Sequence, residues 1–186
     1  EIVRVVRAHG GILTLADLRG YAPVEREPLH GSAFGYEVFT APPPSAGGIT
    51  LLSSLAFLSE VFPSASAIPL ADSPTFRHAL AASWYGSYLD REATLGDPDH
   101  VDVPLAALLD PLRIRERASR LTSWHARPSD DFALPLAADP PVTPGSDAGT
   151  SHLCVVDADG NVLSMTTTVN LLFGAQLTAG GIVLND

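Results

Sequence analysis

Gly149-Thr150-Ser151-His152 is the stretch of this chain whose residue types and position offer chemistry. A threonine hydroxyl is a weak nucleophile until a neighbouring group removes its proton. If the Gly149–Thr150 peptide bond breaks, Thr150 gains a free α-amino group, whose pKa in model peptides is about 7.7–8.0. That value lies near working pH, so one residue would then hold both nucleophile and general base. An internal threonine has no free amine, so the chemistry requires cleavage first. Ser151 carries a second hydroxyl directly beside Thr150 and stands as the competing nucleophile.

The elements that must position Thr150 are a loop and a hairpin. Residues 122–149, rich in proline and aspartate with little periodicity, read as a long exposed loop. Leu153 to Asp157 and Val162 to Thr168 read as two strands around Ala158-Asp159-Gly160-Asn161, since Asp-Gly between β-rich runs is a hairpin signal. Asp157-x-Asp159-Gly160-Asn161 resembles the start of a calcium loop only superficially, because Thr168 stands where the twelfth-position glutamate belongs. Gly181 to Leu184 gives one more strand.

Upstream, helical signals dominate. Glu1 to His9 reads as the end of a helix stopped by Gly10-Gly11, and Thr14 caps a short helix from Leu15 to Arg19 with Asp17 in its first turn. Gly35 to Thr40 alternates like a strand. Longer helices are expected over Ile49–Phe62 and Thr75–Gly96, the second started by Ser73-Pro74, and shorter ones over Leu105–Leu109 and Pro111–Leu121. Ser45-Ala46-Gly47-Gly48 reads as a tight strand-to-helix turn, with an anion cradle at the helix N-terminus as the alternative.

Composition narrows the function classes. The chain has 186 residues and a net charge of −10, and all eleven basic residues are arginine. With 46% hydrophobic and 17% charged residues it can build a packed core. No basic stripe supports nucleic-acid binding, and no apolar run approaches the ~20 residues of a membrane span. The six histidines and single cysteine show no metal-ligand spacing, so neither a metal nor another cofactor is expected. Cys154 sits in an apolar strand pattern and is expected to be a small buried hydrophobe.

An ordered set of motifs resembles the γ-glutamyltransferase (γ-glutamyltranspeptidase) family. It comprises Thr150-Ser151-His152, Val155-Val156-Asp157, Asp159-Gly160-Asn161, Ser164 to Asn170, Phe173-Gly174 and Gly181 to Asn185. Upstream, Gly10-Gly11-Ile12, Val24-Glu25-Arg26, Pro42-Pro43-Pro44-Ser45, Gly47-Gly48, Asp90-Arg91 and Leu95 to Asp99 continue the likeness. Ser151 and Cys154 depart from the family pattern, which has Thr and commonly Ser there.

The resemblance implies an α+β fold, part of the αββα sandwich of an N-terminal-nucleophile hydrolase, truncated at both ends. It implies self-cleavage between Gly149 and Thr150. Residues 1–149 would end a large subunit, with 122–149 as a flexible pre-cleavage loop, and residues 150–186 would begin the small subunit of a heterodimer. Thr150 would be the nucleophile, Thr168 would hydrogen-bond it and assist processing, and Asn170 would hold the glutamyl α-amino end. Thr166, Thr168 and Asn170 share a face if the strand runs through all three. His152 would either position the processing site or simply pack.

The substrate would be a small γ-glutamyl compound such as glutathione, with water, an amino acid or a peptide as acceptor and no cofactor. A periplasmic or extracellular location is expected. The family's arginine for the substrate α-carboxylate and its oxyanion hole match nothing in these residues. A missing oxyanion donor costs about 3 kcal/mol in barrier, so the 186 residues alone are expected to be inactive. Two alternatives stay open: another acylase of the superfamily (cephalosporin acylase-like or poly-γ-glutamate processing), and an inactive fragment or pseudoenzyme with a structural role.

Overall fold

The computed structural model describes residues 1–122, 125–136 and 150–186. They mix helices and strands and fall into two compact units, one of residues 1–24 with 145–186 and the other of residues 25–144. This division follows packing and does not bear on the expected cleavage boundary.

The unit of residues 25–144 is mainly helical. A hairpin of β1 (Leu29–Ala33) and β2 (Tyr36–Thr40) leads into α3 (Ala46–Val61), which is followed by α4 (Pro74–Thr94), α5 (Leu105–Leu108) and α6 (Pro111–Ser119). β1 escaped the sequence reading, since its residues, Leu-His-Gly-Ser-Ala, lack β-branched side chains. Gly48 starts α3 against the Ala41 carbonyl, in a space that a Cβ would fill. Close packing therefore accounts for Gly48, whereas Gly47 has room for a side chain. α4 begins with the Ser73 hydroxyl accepting the Phe76 N–H and with Pro74 in its first turn. α6 begins in the same manner, with the Asp110 carboxylate accepting the Leu112 and Arg113 N–H groups.

Phe57, Leu58 and Phe62 of α3 and its C-terminal end, Ala79 and Ala82 of α4, Ile114 of α6 and Phe132 form the core. Ala79, Ala82, Ser83, Gly86 and Ser87 make a small-residue stripe on α4, whose i, i+3, i+4 spacing puts them on one face. Where Gly86 leaves room, Arg117 enters. It is 1% exposed and donates to both Asp90 carboxylate oxygens, at 2.8 and 2.9 Å. Arg113 donates to the same carboxylate. Phe132 belongs to a 3-10 turn, Ser129–Phe132, inside the stretch expected to be exposed loop. Its 1% exposure shows why: one aromatic side chain in the core fixes a segment that has no periodicity to betray it.

The other unit contains α1 (Ile2–Ala8), α2 (Leu15–Gly20), the hairpin of β3 (Thr150–Val156) and β4 (Val162–Thr168), and the small hairpin of β5 (Thr178–Ala179) and β6 (Ile182–Val183). Thr14 and Asp17 form a reciprocal capping box on α2. The β3–β4 turn is tied by the Asp157 carboxylate, which accepts from the Asp159 N–H (2.9 Å), the Asn161 N–H (2.8 Å) and the Asn161 side-chain amide (2.7 Å). Gly160 sits at φ 85°, where only glycine is unstrained. No helix among the described residues is long and apolar enough to cross a membrane.

Candidate active site

β3 and β4 pair antiparallel in a register that sets Thr150 opposite Thr168, His152 opposite Thr166 and Cys154 opposite Ser164. Directly opposite residues share a face, and their Cβ atoms lie about 5 Å apart. Side chains alternate along each strand, so these six polar residues form one continuous row. The other face carries Leu153, Val155, Leu163 and Met165. Both strands are exposed in this structure.

His152 organises the row beside Thr150. Its Nδ1 lies 2.8 Å from the Thr166 hydroxyl, and its Nε2 lies 3.1 Å from the Ser164 hydroxyl and 3.4 Å from the Cys154 sulfur. In a neutral ring one nitrogen donates and the other accepts, and hydroxyls on both sides can match either choice. Cys154 is therefore no buried hydrophobe. It is exposed on the polar face, because its position alternates with His152 and Thr150 rather than with Leu153 and Val155.

The structure also corrects the placement of Asn170. β4 ends at Thr168, and Asn170 stands beyond it in the left-handed region, at φ 68°, so strand alternation does not align it with Thr166 and Thr168. Its backbone N–H turns back to donate to the Thr168 hydroxyl at 2.7 Å. A cluster of short contacts maintains this bend. The Asn185 amide donates to the Thr168 carbonyl (3.4 Å), the Leu171 N–H donates to the Asp186 carboxylate (3.1 Å), and the Ala175 N–H donates to the Leu184 carbonyl (2.9 Å). Gly174, at φ 56°, lets the chain pass the Leu184 carbonyl where a Cβ would collide.

Thr150, Thr168 and Asn170 thus stand within one short span of chain, while Gly149 lies outside the described residues. The Thr168 hydroxyl accepts from Asn170, so its own proton is left to donate, and Thr150 is the residue opposite. The Thr150 hydroxyl makes no hydrogen bond to another described residue. Sequence alternation placed Thr166 and Thr168 on one face; it missed Thr150, His152, Cys154 and Ser164 on that face and the bend that brings the Asn170 backbone to Thr168. Among the described residues, no group of three or more His, Cys, Asp or Glu side chains is placed to hold a metal ion.

The family model for gamma-glutamyltranspeptidase matches residues 1–186. The chain belongs to the gamma-glutamyltranspeptidase family. It is 35% identical over 188 residues to the glutathione hydrolase proenzyme of Escherichia coli K12, covering 100% of this chain and 31% of that protein. It is 34% identical over 181 residues to the acylase ACY 1 proenzyme of Pseudomonas sp. V22, covering 96% of this chain and 30% of the relative. The crystal structure of Helicobacter pylori gamma-glutamyltranspeptidase matches with a TM-score of 0.59 at 30% identity, over 65% of this chain and 34% of that one. The chain spans about a third of the length of these curated relatives. The fold neighbourhood is accordingly that of the N-terminal-nucleophile hydrolases, with mixed helices and strands in keeping with the α+β expectation.

Proposed function

We propose that this chain is the junction segment of a γ-glutamyl transferase or hydrolase that cleaves itself between Gly149 and Thr150. The observation that carries the proposal is the register pairing of Thr150 with Thr168, whose hydroxyl is oriented by the Asn170 N–H. After cleavage the Thr150 α-amine takes the proton from its own hydroxyl. The hydroxyl oxygen attacks the γ-carbonyl of a glutathione-like compound. The scissile C–N bond breaks, the leaving amine takes that proton, and a γ-glutamyl-Thr150 ester remains. Water, an amino acid or a peptide then accepts the γ-glutamyl group. Thr168 donates a hydrogen bond to the nucleophile, and Asn170 holds the glutamyl α-amino end. His152 keeps the neighbouring row in place.

In the complete protein the two pieces form a large/small subunit heterodimer with the αββα sandwich. A periplasmic or extracellular location belongs to the same reading. The substrate α-carboxylate clamp and the oxyanion donors come from chain outside these 186 residues. The similarity to an acylase proenzyme supports a second reading, in which the same nucleophile takes a different acyl group.

Intact-mass analysis of the full-length protein tests the proposal. The wild type is expected to split between Gly149 and Thr150 and to turn over γ-glutamyl-p-nitroanilide. Thr150→Ala is expected to stay uncut and to lose activity by about three orders of magnitude or more, with Ser151→Ala much milder. An uncut wild type that remains uncut for days would establish an inert structural segment instead. A wild type that cuts but accepts only other acyl groups would establish the acylase reading.

A further inference from the structure

The backbone around Asn170 is held on both sides. The N–H of the peptide group before its Cα donates to the Thr168 hydroxyl at 2.7 Å. The N–H of the peptide group after it, that of Leu171, donates to the Asp186 carboxylate at 3.1 Å. Peptide groups are planar, so anchoring the two that flank a residue fixes its φ and ψ and hence the direction of its Cβ. The conformation fixed here is an uncommon one. Asn170, Phe173 and Gln176 lie at φ 68°, 65° and 56°, where side chains other than glycine are disfavoured and persist only when their surroundings over-determine them. Residues 184–186 supply that support. The Asn185 amide reaches the Thr168 carbonyl (3.4 Å), while Leu184 accepts from the Ala175 N–H and donates its own N–H to the Leu177 carbonyl, both at 2.9 Å. Among the described residues of this returning segment, Asp186 alone bonds a peptide group that flanks Asn170. A carboxylate is also a stronger acceptor than a neutral oxygen.

We infer that Asp186 is a positioning residue for substrate binding: by holding the Leu171 N–H it keeps Asn170 in the left-handed turn from which its side chain meets the glutamyl α-amino end. The inference rests on the reading that Asn170 makes that contact. The α-amino end takes no part in bond making at the γ-carbonyl, so the contact is the same in the ground state and the transition state. Loosening it weakens binding without slowing the chemistry, which raises KM and leaves kcat alone. Asp186 acts through Asn170, so its loss removes nothing further once the Asn170 side chain is gone.

Steady-state turnover of γ-glutamyl-p-nitroanilide by the mature full-length enzyme tests this. Asp186→Ala should raise KM about tenfold, the effect of losing one hydrogen bond to a charged group, with kcat within about twofold of wild type. Asp186→Asn keeps an oxygen to accept from Leu171 and should recover most of that loss. Asn170→Gly, which removes the side chain but tolerates the positive φ, should raise KM by itself, and adding Asp186→Ala to it should raise KM no further. Where Asp186→Ala fails to mature, Asp186→Ser, with a shorter and neutral acceptor, carries the same expectation and the same refutation. A wild-type KM in the Asp186 variant, a fall in kcat that Asp186→Asn does not restore, or KM effects that multiply in the double variant would overturn the inference while leaving the proposed function intact. A wild-type KM in Asn170→Gly would overturn the role of Asn170 and the inference with it. A wild-type enzyme that turns over no γ-glutamyl compound would overturn the proposed function itself.

Discussion

Asp90 in the helical unit and Thr150 on the β3–β4 hairpin both stand among polar neighbours, and the two neighbourhoods are built on opposite terms. Around Asp90 each carboxylate oxygen is taken: Arg117 bonds both, Arg113 adds a third contact, and Arg117 is spent further on the Phe132 carbonyl. The group is shut away from water by α3 and α4, and burial lowers the Arg113 pKa, with the nearby Asp90 charge opposing that shift. Along the hairpin the hydroxyls of Thr150, Thr166, Thr168 and Ser164 line one exposed face, and several keep a proton or lone pair to offer. A buried carboxylate with every oxygen taken holds a fold together, even though the Arg113 Nε beside it is buried without a partner among the described residues. Unsaturated polar groups in an ordered row on rigid strands are available to a substrate.

The largest effect that separates the two neighbourhoods should come from Asp90→Ala. It leaves two guanidiniums facing each other in the interior without their carboxylate, and breaking a buried pair in this way costs about 3–5 kcal/mol. Chemical denaturation of the full-length protein should register that loss, and the hairpin chemistry should follow it only through the fraction unfolded. A variant with wild-type stability but lost cleavage would place Asp90 with the reacting groups and break the comparison.

Thr168→Ala should do the reverse. It removes one exposed hydroxyl that accepts from Asn170 and faces Thr150, so the midpoint of unfolding should move little. Cleavage should slow by about a hundredfold, the lower range for a positioned proton donor or acceptor. Thr168→Ser, which keeps the hydroxyl, should recover most of the rate. Single-turnover cleavage followed by intact mass measures both. Equal rates for the alanine and serine variants would mean that the hydroxyl is not what Thr168 contributes.

The contrast also explains which parts were legible in the sequence. Helix ends were readable because they are local: Ser73-Pro74 and Thr14 with Asp17 act within one turn of themselves. The hairpin was readable because Asp157 to Asn161 folds on itself; that its first strand reaches back to Thr150 and sets it opposite Thr168 was not. Three features depended on distant partners and were not readable. β1 pairs only because β2 is present. Phe132 is ordered by a core drawn from α3, α4 and α6. Asn170 takes its left-handed turn because residues 184–186 return to brace it. Cys154 failed for another reason: its neighbours in sequence are apolar, but its neighbours on the face are His152 and Ser164, and the face decides.

The smallest expected effect concerns the turn that closes the hairpin. The Asn161 side-chain amide, and then the Asn161 backbone, hold the Asp157 carboxyl below the ordinary carboxylate pKa. A carboxylate whose pKa is depressed in the folded state contributes stability above its unfolded value of about 3.9, and that contribution fades as pH falls through the lower folded value. Asp157→Asn keeps an oxygen to accept from the turn but removes the charge. At neutral pH it should lower the melting temperature by no more than about two degrees, since solvent screens an exposed group. Below the carboxylate range the wild type loses the same charge by protonation, and the two melting curves should converge. A gap that persists at low pH would mean that shape rather than charge holds the turn. The Thr150–Thr168 register would then owe its accuracy to Gly160 and Asn161 instead.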